Sequence, residues 1–165
     1  MTSEAITVVV ADERSPDDSP DVVVDVARWQ RLALDVLACE GVAGELTLTF
    51  ADLDDLAELN QDHMGKLGPT DVLSFPMHDE PVAGVPTLLG DVVISPAVAA
   101  GQFSGHAGTI DDELALLVVH GILHVLGHDH AEPDETAAMR RRELDHLQAF
   151  HWHGDAPAGF RQAID

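Results

Sequence analysis

The sequence predicts an α+β fold with α/β-like character, a small mixed sheet packed with several helices. Three observations lead there. Segments with period-two and period-3.6 hydrophobicity follow one another as strand, helix, strand, helix, strand, strand, helices. The stretch TIDDELALLVVHGILHVL (109–126) is apolar nearly all round, so its helix belongs inside the domain rather than on its surface. The 165 residues suit a single domain, 1–165, long enough to bury a core.

ITVVVADE (6–13) reads as a strand and RSPDDSPD (14–21) as the turn after it. From Val22 to about Glu40, the residues Val22, Val26, Trp29, Leu32, Ala33, Val36 and Leu37 recur at helical spacing, and Gly41 closes that helix. GELTLTFA (44–51) puts Leu46, Leu48 and Phe50 on one face of a half-buried strand. DLDDLAELNQDHM (52–64) opens with an N-cap Asp and acidic residues in the first turn, where the helix dipole favours them. Gly68 and Pro69 make a turn before the short strand DVLSF; DEPVAGVPT (79–87) is a loop; LLGDVVIS (88–95) is another strand. Ser95 caps a short helix with Pro96 at its first position, and Thr109 caps the long apolar one. A last helix spans about Pro133 to Phe150, with Met139, Leu144 and Leu147 on its apolar side, and residues 151–165 read as a loose tail.

Composition excludes several classes of function. No apolar run approaches the roughly 20 residues that span a bilayer, so no membrane partner is expected. The start, MTSEAITVVVADE, has no basic region followed by a signal-like core, which points to a cytoplasmic location. Cys39 is the only cysteine, so no internal disulfide forms, and a buried structural thiol is expected. Thirty acidic residues against eight Lys and Arg give a formal net charge of −22. Such a surface repels polyanions at long range and argues against non-specific nucleic-acid binding. Any RNA contact must then be local or supplied through a partner.

The chemistry-bearing stretch is HGILHVLGHDH (120–130). His120 and His124 lie four apart on the apolar helix, about 40° apart in projection and roughly 6 Å along the axis, so both imidazoles can grip one ion. Gly127 tolerates the left-handed conformation that stops a helix, and the chain can turn back to present His130. Three histidines leave a fourth tetrahedral position for water, the layout of catalytic zinc, and one zinc ion is expected. His128 reads as a surface or supporting residue; His146, His151 and His153 read as solvated. The helix has a metzincin-like outline, but Gly121 stands where zinc proteases of the HExxH type carry their glutamate. Glycine cannot move a proton, and general acid–base help is worth about 10²–10⁴-fold. Phosphodiester cleavage leans more on electrostatic stabilisation of the phosphoryl oxygens. The residues therefore point away from a peptidase and permit a phosphodiesterase.

These residues resemble the YbeY family of zinc-dependent endoribonucleases and rRNA maturation factors. HGILHVLGHDH is similar to its HGxLHLxGxDH signature, LNQDHMGKLGPTDVLSFP (59–76) to its LN…PTxVLSFP block, and LLGDVVIS to its LGDIxIS block. The blocks stand in the family's order and cover roughly residues 40–150. The resemblance implies a four-stranded mixed sheet with several helices, and His120, His124 and His130 as zinc ligands. It also implies single-strand-specific endoribonuclease activity in small-subunit rRNA 3′-end maturation and ribosome quality control, with rRNA and the ribosome or ribosomal proteins as partners. Many members carry an arginine where this sequence has Met64, so phosphate clamping would fall to Lys66, another basic residue or zinc. Asp71, Asp91 and Asp129 could orient a histidine or serve as turn formers and caps. Arg140, Arg141 and Arg142 could form a phosphate patch or a solvated face paired with Glu135 and Glu143. Two other readings remain beside the nuclease: an assembly factor with a structural zinc and no cleavage of its own, and a metallopeptidase, which Gly121 disfavours.

Overall fold

The computed structural model describes residues 5–77, 82–106, 108–128 and 131–162. The elements run β1 (Ile6–Asp12), α1 (Val26–Cys39), β2 (Gly44–Phe50), α2 (Leu53–Met64), β3 (Val72–Pro76), β4 (Leu88–Ile94), α3 (Pro96–Gln102), a 3₁₀ turn (Phe103–His106), α4 (Ile110–Val125) and α5 (Pro133–Phe150). The sheet is four-stranded and mixed, in the order β1-β2-β4-β3. Strands β1, β2 and β4 run parallel, and β3 is antiparallel to β4 at the edge. An edge strand tolerates a proline, and Pro76 ends β3.

Alternation along the strands decides what each face covers. Leu46, Leu48, Phe50, Val92 and Ile94 are fully buried and form one core with α1 and α4. On the opposite face Leu73, Phe75 and Val93 meet Leu56 and Leu59 of α2. Gly90, in the LGD stretch of β4, sits at φ 151°, and a Cβ there would lie 2.5 Å from the Phe75 carbonyl oxygen. A side chain at that point would push the β3–β4 pair apart.

The capping residues explain most boundaries. The Asp25 side chain accepts from the Arg28 amide, so α1 starts at Val26, four residues later than the Val22 expected from periodicity. Val22 is buried all the same, just ahead of the helix. Ser95 caps α3 as expected. Thr109 and Asp112 form a capping box at the start of α4. Helix α4 is buried along almost its whole length, packed by the sheet, α1, α3 and α5. Asp52 caps α2 through its backbone only: its carboxylate accepts from the Ser15 amide and hydroxyl, and Asp18 receives the Leu53 amide instead. Of the loop expected at 79–87, residues 79–81 lie outside the described residues, and Val82–Thr87 is irregular.

Two local expectations are corrected. Cys39 is exposed, at the last position of α1 beside a depression shared with Arg142 and His146. Residues 151–162 are anchored rather than loose: the Trp152 indole donates to Asp112 Oδ1 at 2.8 Å and packs edge-on against Phe160, ring centroids 4.9 Å apart.

The junction at Asp112 makes stability sensitive to acid. Burial opposes ionisation of Asp112, but hydrogen bonds from the Thr109 amide, His151 and Trp152 outweigh it and hold the carboxyl below its usual range. The His151 imidazole is pushed down, chiefly by burial and also by Arg28, against the pull of Asp112. Both groups bind fewer protons folded than unfolded, so their stabilisation is present above the unfolded values and lost as pH falls. Histidine contributes first, below about 6.5, and the carboxylate later. The melting temperature of metal-free protein is therefore expected to fall between about pH 7.5 and 5.5, and less steeply in His151→Gln. Equal slopes in the two proteins would remove His151 from this account.

Candidate metal centre

Helix α4 brings His120 and His124 together. His120 is buried, His124 is half-buried, and their ring centroids lie 4.6 Å apart at 73°. Beyond the Leu126 cap, Gly127 takes φ 99° and the His128 amide returns to the Leu123 carbonyl, so the chain reverses after the helix as its glycine predicts. Asp129 and His130 lie outside the described residues. Among the described residues no three potential ligands cluster. The donor set at α4 is thus the histidine pair, with the expected third ligand following Gly127.

The pair is backed by a carboxylate from another helix. Glu143 of α5, buried, meets His120 Nδ1 through Oε2 at 2.5 Å. A carboxylate accepts, so Nδ1 carries the proton and Nε2 becomes the ring's coordinating atom. This imidazole–carboxylate arrangement is the usual support of metal-ligating histidines. Sequence reasoning named Glu143 only in one of two readings of the arginine cluster, as an ion-pair partner on a solvated face, and missed this contact. The signal was there: Met139, Glu143, His146 and Leu147 share one buried stripe, and a carboxylate on such a stripe needs a partner.

The histidines open onto a groove of about 500 Å³ that Asn60, Met64, Lys66, Leu67, Ser74 and Pro76 also line. Asn60 donates to the Gly68 carbonyl at 3.0 Å and so ties the 65–70 loop to α2. Lys66 therefore shares the groove with His120 and His124, and Met64, 53% exposed, stands beside it. The arginine cluster lies elsewhere. Arg142 pairs with Glu40 at 2.8 Å, and Arg141 and Arg142 line a separate depression. Burial alone would raise the Glu40 carboxyl; hydrogen bonds from Arg142 and His146 outweigh it and hold the group low.

The three aspartates separate. Asp71 accepts from Gln102 Nε2 at 2.8 Å, and the same amide nitrogen donates to buried Glu113 at 3.0 Å. Its carboxylate is used to tie the start of β3 to α3, whose Gln102 also reaches α4. Asp91 points to the other face of the sheet, into a concavity with Glu13, Asp55, Glu58 and Asp62. Neither reaches the histidine pair. Two histidines expected to be solvated are buried on carboxylates: His146 on Glu40 and His151 on Asp112, both at 2.8 Å. His128, partly exposed, stands 3.5 Å from Glu40 in the depression that Arg142 and His146 share, and His153 is exposed.

Gly121 has a packing role that its sequence context did not reveal. A Cβ at this position would sit 2.5 Å from Val92 Cγ1 and 3.3 Å from Val72 Cγ2. Its carbonyl accepts from the Ser74 hydroxyl at 2.9 Å. The position faces the sheet, where α4 crosses β3 and β4.

Residues 14–151 match the family described as Endoribonuclease YbeY. A protein named Endoribonuclease YbeY from Salinispora tropica is 44% identical over 154 residues, covering 87% of this chain and 92% of its own. One of the same name from Mycolicibacterium vanbaalenii is 41% identical over 162 residues, covering 88% and 85%. The solution structure of TM1509 from Thermotoga maritima superposes with a TM-score of 0.54 at 20% identity, covering 93% of this chain and 99% of that one, a likeness of fold.

Proposed function

The chain belongs to the YbeY endoribonuclease family, and from that premise we propose that it cleaves single-stranded RNA with one zinc ion held by His120, His124 and His130. The observation that carries the metal reading is the His120–Glu143 contact: a buried imidazole locked at Nδ1 beside a second histidine that opens on a groove. When bound, zinc supplies Lewis-acid chemistry, polarising a phosphoryl oxygen and lowering the pKa of an attacking water. The chain's own residues then have distinct tasks. Glu143 holds the His120 ring in orientation. Lys66 offers a phosphate contact from the groove wall. Met64, Leu67 and Pro76 give that wall apolar surface on which an unpaired base can rest. The substrate proposed is rRNA, at the 3′ end of the small-subunit species, in the cytoplasm and with the ribosome or its proteins as partners. No helix among the described residues is long and apolar enough to cross a membrane.

The test is metal removal and return. Purified protein should cut a labelled single-stranded RNA, lose the activity on chelation, and regain it with one equivalent of zinc. Activity untouched by complete chelation would end the metal reading. The net charge of −22 favours a second reading, an assembly factor whose own cleavage is negligible. That reading expects metal uptake with no cleavage above the chelated control.

The groove also predicts how RNA affinity depends on salt. Each phosphate contact contributes about one unit of log K against log salt. Lys66→Ala is expected to flatten the slope by about that much, and Met64→Arg to steepen it by a similar amount while tightening binding at low salt. Fluorescence-anisotropy titrations over a range of salt concentrations would show this, and unchanged slopes in both variants would place the phosphate path outside the groove.

A further inference from the structure

The strap after α5 touches the start of α4, the helix that carries the histidines, and the α5 carboxylate that backs one of them. At the N-terminal end, His151 and Trp152 both donate to Asp112 Oδ1 at 2.8 Å, and Asp112 completes the capping box of α4 with Thr109. Further along the strap, Gln162 Nε2 donates to the Arg140 carbonyl at 2.6 Å and to Glu143 Oε1 at 3.1 Å. The other oxygen of that same carboxylate holds His120. Residue 162 lies beyond the 14–151 span that matches the family, so this contact is additional to the family's matched region.

We infer that Gln162 is a positioning residue for the metal centre, acting through Glu143; the inference rests on the metal reading above. A carboxylate bonded at one oxygen still pivots about its terminal torsion, a broad and soft one. A second donor on Oε1 fixes the carboxylate plane and with it the direction of Oε2 toward Nδ1. The amide of Gln162 suits the task because its two N–H groups serve two acceptors, one of them backbone on α5. That backbone contact makes the donor an extension of the helix that bears the carboxylate. Trp152 and Phe160, packed edge to face, hold the intervening strap in place. A donor on Oε1 also satisfies an oxygen on a residue only 2% exposed, whose loss would be costly.

The experiment is a double-mutant cycle read by zinc affinity, using chelator competition on the full chain. Replacing the direct partner of a ligating histidine costs about 10–100-fold in affinity, so Glu143→Gln is expected in that range. Gln162→Ala, one contact further out, is expected to cost about three- to tenfold. In the Glu143→Gln background, Gln162→Ala should add nothing, because the carboxylate it positions is gone. Gln162→Glu, which sets a like charge against Glu143, should weaken zinc more than Gln162→Ala and keeps the test available should Glu143→Gln not fold. Full additivity in the cycle, or wild-type affinity in Gln162→Ala, would overturn the inference while leaving the metal site intact. A wild-type protein that binds no stoichiometric zinc would overturn both the inference and the reading beneath it.

Discussion

Replacing His124 with alanine is expected to abolish zinc retention and to cut cleavage of single-stranded RNA by at least about a hundredfold, with the fold left standing. The expectation follows from where the residue sits. His124 is in the last turn of α4, half-buried, with its ring 4.6 Å from that of His120 and open to the groove. Alanine has the highest helix propensity, so α4 loses nothing intrinsic by the change. The core around α4 is built by Leu114, Leu117, Val118, Ile122 and their neighbours, all fully buried and all still present. With one of the paired donors gone, the ion loses its grip and the phosphoryl oxygens lose their electrostatic partner. Metal analysis, circular dichroism and RNA cleavage on one preparation would separate these effects. A folded His124→Ala protein that cuts RNA as well as wild type would refute the assignment of the histidine pair to catalysis.

Gly121→Glu is expected to prevent folding, and Gly121→Ala to destabilise the protein by about 1–3 kcal/mol, the usual cost of overpacking a core. The Cβ would be 2.5 Å from a methyl of Val92, which is itself 0% exposed on a stiff β-branched side chain in the centre of β4. Neither helix nor strand can retreat, because Ser74 pins the Gly121 carbonyl and the sheet is packed on its far side by α2. The loss should be relieved in part by Val92→Ala, measured by urea unfolding of the two single variants and the double. No rescue at all would mean the clash is not what constrains this position. The result bears on the peptidase reading. The position that holds a catalytic glutamate in HExxH enzymes here faces a strand, so the missing acid–base group cannot be restored by substitution.

What the sequence made legible is what depends on neighbours along the chain. The caps Ser95 and Thr109, the apolar α4 and the four-residue histidine spacing all follow from local rules, and each lies where expected. The start of α1 was misjudged because Val22 is buried without being helical. Asp18, whose carboxylate accepts from the first free amide of α2, is 35 residues from the Leu53 amide it serves, a pairing no local pattern reveals. The same distance problem hides the contacts behind the histidine pair: Glu143 is 23 residues from His120, and Gln162 is 19 from Glu143. Asp71 and Asp91 misled for the opposite reason. They sit close to signature blocks in sequence, but strand alternation sends Asp91 to the far face, and Gln102 engages Asp71. His146 and His151 looked solvated because their partners, Glu40 and Asp112, belong to other helices.

The placing of Glu143 on α5 has a consequence for the newly made chain. Synthesis runs at about 5–20 residues per second, so His124 exists for about 1–4 s before Glu143 is added. Even after both helices are made, α4 has the sheet and α1 to pack against but lacks one flank until α5 docks. His120 meanwhile has no carboxylate to choose its tautomer. The pair of rings is loosely oriented until then, and His120 is fixed only once α5 has docked and brought Glu143 to it.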